Sequence, residues 1–184
     1  MNKRIAIPFA AYAVAVALTM TVAATKDPIV GGAPMYASKN IVENAMNSAD
    51  HTTLVAAVKA AGLVEVLQSP GPLTVFAPTN DAFQKLPAGT VDTLLQPANV
   101  DQLKGVLTYH VVGGRIDAQT LKKMIEDGNG TAELKTVNGE TLWAMVHGGK
   151  IALKDQKGNI AHITISNVYQ SNGVIHVIDN VLLP

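Results

Sequence analysis

The order of patterns along the chain predicts an α+β domain. Apolar residues recur at helical spacing between Ser38 and Gly128, and the period changes to two from Ala132 onwards. The sequence shows no repeated strand–helix–strand unit of the kind that builds a doubly wound parallel sheet. The chain has 184 residues, of which 48% are hydrophobic, and this suffices for the core of one domain.

The amino terminus has the pattern of an export signal. Lys3 and Arg4 precede an apolar run over 5–18, and residues 22–24 are small enough for signal-peptidase cleavage. A retained membrane anchor is the alternative, but the run is shorter than the ~20 residues of a membrane span and contains Pro8. We predict a signal peptide over 1–24 and no membrane insertion after its removal. An extended, mobile lead-in over 25–36 and a single domain over 37–184 follow.

Composition excludes several functions. After removal of Lys3 and Arg4, 12 basic residues remain against 14 acidic ones, and only 4% of residues are aromatic. With no basic stripe, this excludes a nucleic-acid partner. The absence of cysteine excludes thiol catalysis, cysteine zinc sites and iron–sulfur clusters.

The first helices are predicted from caps and apolar spacing. Ser38 is expected to cap a short helix over 41–46. Asp50 or Thr52 begins a stronger helix, which Gly62 interrupts.

A strand and a helix are predicted to meet within 73–87. An apolar run forms the strand, and Pro78 fixes the turn that follows. Thr79 or Asn80 caps the next helix, and Asp81 is favourable at its positive end.

Helices and short β-like segments are both predicted between the helix at 79–87 and the first hairpin. They are a helix over 90–95, a helix capped by Asn99 or Asp101, a β-like segment over 109–112, a short strand at 115–116, and a helix capped by Asp117. A hairpin over 132–146 follows, with a type I′ turn predicted at Asn138-Gly139. Further strands are predicted over 150–154, 160–169 and 174–178.

Three segments resemble the fasciclin domain family, whose members are extracellular adhesion modules. They are LTVFAPTNDAFQKLP at 73–87, Tyr109-His110 within LTYHVV, and SNGVIHVIDNVLLP at 171–184. The helical region before them also fits, so the resemblance covers nearly all of the chain beyond the lead-in.

The resemblance implies a fasciclin-like fold, in which a wedge of two β-sheets is flanked by several α-helices. It implies a non-enzymatic adhesion module that is secreted or periplasmic and acts at the cell surface or in the extracellular matrix. The partner would be an unidentified surface or matrix protein or a polysaccharide, and no cofactor is implied. A monomer or weakly self-associating domain would need a multivalent surface for avidity.

The resemblance also directs attention to particular residues. Tyr109 is expected to pack in the core while His110 bonds the turn at 79–81, and in a second interpretation this pair contributes to an adhesive surface. His176 is expected to be a satisfied polar residue beside Asp179.

The family's integrin-recognition element, an Asp-Ile pair, corresponds here to Asn167 and Val168. Asn167 lacks the carboxylate that would meet a receptor's metal ion, and no Arg-Gly-Asp occurs elsewhere. The resemblance therefore does not extend to integrin binding.

Catalysis and metal binding are not predicted. The five histidines form no H-E-x-x-H, and the serines form no G-x-S-x-G. A chance pair of His162 and His176 on neighbouring strands is the metal-binding alternative. A second functional alternative is a carrier of an apolar lipid or pigment, for which Met124, Trp143 and Met145 would line the site.

Overall fold

The computed structural model describes residues 27–184. The predicted signal peptide lies outside these residues. The predicted lead-in contains a hairpin of strands β1 (Ile29–Val30) and β2 (Ala33–Pro34). Val30 and Met35 are buried in the core, so the packed part of the chain begins before residue 37.

Seven α-helices are described. They are α1 (Ile41–Ala45), α2 (Thr52–Ala60), α3 (Val64–Gln68), α4 (Asn80–Gln84), α5 (Thr90–Leu94), α6 (Val100–Tyr109) and α7 (Ala118–Asp127), with 3-10 turns at Ala49–His51 and Pro97–Asn99. The predicted caps Thr79 and Asp117 are confirmed, since their side chains accept backbone N–H groups of α4 and α7. Asn40, not Ser38, caps α1, and it forms a capping box with Glu43.

The main sheet has seven strands. They are β3 (Leu73–Pro78), β4 (Val111–Gly113), β5 (Thr131–Lys135), β6 (Thr141–His147), β7 (Lys150–Lys154), β8 (Ile160–Gln170) and β9 (Gly173–Ile178), in the order β4-β3-β9-β8-β7-β6-β5. Neighbours are antiparallel except β3 and β9. The α+β prediction is confirmed.

Strand β8 joins the two arms of the predicted wedge. Its first residues pair with β7, its remainder pairs with β9, and its register shifts between Ile163 and Val168. Such irregularities bend a strand, so one strand can belong to both arms. A bridge between Val112 and Thr136 brings the far edges together and nearly closes the sheet.

Three local predictions were wrong. Tyr109 and His110 end helix α6 instead of starting a strand. No strand forms at 115–116, where the Ile116 N–H donates to Thr74 Oγ1. The hairpin forms as predicted, but its turn is a three-residue loop with a left-handed Gly139 rather than type I′.

The core lies on both faces of β3 and β9. Val75 and Ala77 of β3 pack with the helices α1, α2 and α6, while Phe76 points to the opposite side. There it packs in a second cluster with Leu121 of α7 and the inner residues of β5 to β8. These two strands are therefore the central elements of the domain.

Candidate functional site

Tyr109 and His110 end helix α6 inside the protein. Tyr109 is fully buried, and its hydroxyl donates to the Thr141 carbonyl of β6 at 2.9 Å. Burial raises the pKa of Tyr109 to about 12. The predicted packing of Tyr109 in the core is confirmed, and its side chain is not accessible to a partner.

His110 connects α6 to the carboxyl-terminal segment. Its Nδ1 lies 2.8 Å from the Val106 carbonyl, and its Nε2 accepts the Leu182 N–H at 3.1 Å. This arrangement requires a neutral ring, and burial lowers the pKa of His110 to about 4. The predicted bond from His110 to the turn at 79–81 was wrong.

The turn at 79–81 instead links two helices. Asn80 Oδ1 accepts the Thr53 N–H at 3.0 Å, and its Nδ2 donates to the Ala49 carbonyl at 2.8 Å. Thr79 caps α4, and Asp81 is exposed in the first turn of that helix. Of these three residues, only Asp81 presents an exposed side chain.

His176 is buried in β9. Its Nε2 lies 2.8 Å from the Ile116 carbonyl, and its ring stacks on Phe76 with the ring centroids 5.7 Å apart. Burial lowers the pKa of His176. The expected neighbour Asp179 contacts His162 instead, whose N–H it accepts at 2.7 Å.

The positions that correspond to the integrin element are also structural. Asn167 occupies a left-handed backbone conformation within β8, and its Oδ1 accepts the Ala118 N–H at 2.8 Å. Val168 is buried. Neither residue forms an exposed acidic site.

Within the described part of the chain, three of the seven large apolar residues that are exposed, which the sequence patterns did not indicate, belong to the amino-terminal part of the domain. Ile29 lies in β1, Tyr36 follows β2, and Met46 follows α1. Two bonds between the Tyr36 backbone and the Asn44 side chain hold the hairpin against α1. We call Ile29, Tyr36 and Met46 the amino-terminal apolar surface.

An apolar cavity of about 50 Å³ lies between the helices α1, α2, α3 and α6 and strand β3. Leu54, Val58, Leu67 and Ile175 are among the residues that line it. Met124, Trp143 and Met145 lie elsewhere, on α7 and β6. The cavity is well below the ~300–1,000 Å³ of typical small-molecule pockets.

In residues 27–184 there is no group of three or more His, Asp or Glu side chains placed to hold a metal ion. The alternative pair of His162 and His176 does not form. His162 contacts His147 and Asp179, and His176 Nε2 faces the Ile116 carbonyl.

Among the described helices, none is long and apolar enough to cross a membrane.

Comparison with known proteins agrees with the fold. The chain is 48% identical over 159 residues to Protein sll1483 of Synechocystis sp., covering 86% of this chain and 81% of that protein. It is 31% identical to the cell surface glycolipoprotein MPB83 of Mycobacterium bovis, covering 91% and 79%. A FAS1 domain pair from the insect cell adhesion molecule fasciclin I superposes with a TM-score of 0.55 at 21% identity, covering 71% and 43%. The Fasciclin domain family model matches residues 49–184, and the chain belongs to this family.

Proposed function

We propose that this protein is an exported, non-enzymatic adhesion module that binds a cell-surface or matrix component. Membership of the fasciclin domain family carries the proposal. The names of two similar proteins, a cell surface glycolipoprotein and a cell adhesion molecule, agree with it. The apolar run that follows Lys3 and Arg4 supports export to the periplasm or the exterior.

The amino-terminal apolar surface is the proposed contact region. Three residues that the family resemblance singled out are buried and cannot contact a partner, namely Tyr109, His110 and Val168. They stabilise the fold that carries the amino-terminal apolar surface. Tyr36 offers an aromatic ring with a polar end beside Lys39, whose Nζ lies 5.2 Å from the ring centroid. Aromatic residues and methionine are enriched at protein interfaces.

A binding assay with multivalent display tests this proposal. The full chain is coupled densely to beads, and bead retention on cells of the source organism is measured against albumin-coated beads. The double variant Tyr36→Ser/Met46→Ser is expected to lower retention to near the albumin level. Val146→Ser is the matched control, because Val146 is 58% exposed and Met46 is 54% exposed. Equal retention of coated and albumin beads would contradict adhesion, and equal losses in both variants would contradict this surface.

The apolar lining of the cavity, though not its volume, supports a second candidate function, the transport of an apolar small molecule. The elements that line the cavity would have to move apart to enlarge it to ligand size. Native mass spectrometry of the protein from its own source distinguishes the two functions. A stoichiometric apolar molecule would favour the carrier, and a bare polypeptide mass would favour adhesion.

A further inference from the structure

Two imidazole rings meet on the outer face of the sheet. His147 ends β6 and His162 lies near the start of β8, and β7 lies between these strands. Nδ1 of His147 is 3.0 Å from Nε2 of His162. Ala152 of β7 pairs with both Met145 and His162, so its small side chain leaves room for the two rings to approach.

Asp179 orients one of these rings. Its Oδ2 lies 3.3 Å from His162 Nδ1, and its Oδ1 accepts the His162 backbone N–H at 2.7 Å. The carboxylate favours a proton on Nδ1, so the lone pair of Nε2 faces His147. A carboxylate behind the distal nitrogen is the usual outer partner of a metal-binding histidine.

We propose that His147 Nδ1 and His162 Nε2 bind one Cu(II) ion, with water completing its coordination. Two nitrogens at ~2.0–2.1 Å from an ion lie about 2.9 Å apart at right angles and about 3.3 Å apart in a tetrahedron. At the observed 3.0 Å, one ion can reach both nitrogens with little movement of either ring. Cu(II) is also the divalent ion of its row that such ligands bind most tightly.

Access and proton balance are compatible with this site. His147 is exposed and His162 is half-buried, so an ion and its waters can reach both nitrogens. The proton that His147 Nδ1 shares with His162 moves to His147 Nε2 when the ion binds, and both rings stay neutral. Lys150 pairs with His147 across the strands, and its exposed, flexible side chain can turn away from the ion.

Copper titration of the full chain tests the proposal. Trp143 is the single tryptophan, and it lies on the same strand face as His147, about 13 Å along the strand. We expect CuCl₂ to quench its fluorescence with saturation at one equivalent. Electron paramagnetic resonance of the complex should show two equatorial nitrogens.

Variants separate this site from other copper ligands in the chain. His147→Asn should raise the Kd for Cu(II) at least tenfold, and this exposed substitution should leave the fold intact. Asp179→Asn should raise the Kd by about 10- to 100-fold, the usual effect of losing an outer partner. Lys135→Gln, on β5, leaves both imidazoles in place and should bind as the wild type does.

Three results would overturn the proposal. The first is an unchanged Kd in His147→Asn, and the second is a spectrum with a single nitrogen. The third is tighter binding of ZnCl₂ than of CuCl₂ under the same conditions.

Discussion

His110 holds the end of α6 against the carboxyl-terminal segment in a way that only a neutral ring allows. One ring nitrogen faces a carbonyl and the other accepts an N–H, so protonation would set a donor against a donor. His176 makes similar use of both nitrogens, with Nε2 at the Ile116 carbonyl and Nδ1 3.5 Å from the Asn167 N. Residues that resemble a family signature thus serve mainly to hold the fold together.

This chemistry predicts a loss of stability in mild acid. The pKa of His110 is about 4 in the folded protein, against ~6.5 in an unfolded chain. Between these values the unfolded state binds a proton that the folded state excludes, so the stability present above ~6.5 is lost as the pH falls towards 4. The free energy of unfolding should decrease by about 1.4 kcal/mol per pH unit from this residue.

Urea unfolding of the wild type and of His110→Gln at several pH values measures this contribution. His51 and His176 also have lowered pKa values, but they are present in both proteins. The difference in free energy between the two proteins therefore isolates His110. It should shrink by about 3 kcal/mol between pH 7 and pH 4. A difference that stays constant over this range would exclude the neutral-ring requirement.

At the scale of elements, the hairpin between β5 and β6 shows what a local pattern predicts. Its existence followed from period-two spacing around Asn138-Gly139. The turn type did not follow from this spacing, because Asn138 Oδ1 accepts the Glu140 N–H at 3.0 Å and stabilises a longer loop. Helix α6 likewise runs on to Tyr109, because packing of that ring in the core outweighs its strand propensity.

Two glycine substitutions should change stability in opposite directions. Gly139 has φ +92°, so Gly139→Ala is expected to cost about 1 kcal/mol although there is free space for a methyl group. Gly105 lies within α6 without a left-handed conformation, and a methyl group there also meets nothing. Gly105→Ala should therefore stabilise the protein by ~0.5–1 kcal/mol. Urea midpoints that move in the same direction would contradict this account of the turn.

On the scale of the whole molecule, the buried polar contacts join segments that are distant in sequence. Asn172 Oδ1 accepts the Ile41 N–H, and its Nδ2 donates to carbonyls of Leu67 and Ser69. Periodicity predicted most helices and strands, and the resemblance predicted the fold. Neither could predict the hydrogen-bond partners of Asn172, because these depend on how the elements pack. The contact between His147 and His162 was missed for the same reason, since it depends on the pairing of both strands with β7.

The two core clusters share β3 and β9, so the domain should unfold as one unit. Met35 is buried in the first cluster, and Trp143 lies on β6 between residues of the second. Met35→Ala should lower the free energy of unfolding by ~2–4 kcal/mol. Trp143 fluorescence and far-ultraviolet circular dichroism should report the same lowered urea midpoint.

Ile29→Ala, in the same hairpin but 61% exposed, should leave the midpoint nearly unchanged. A Met35→Ala transition seen by circular dichroism but not by Trp143 would show instead that the amino-terminal hairpin and helices unfold separately from the sheet.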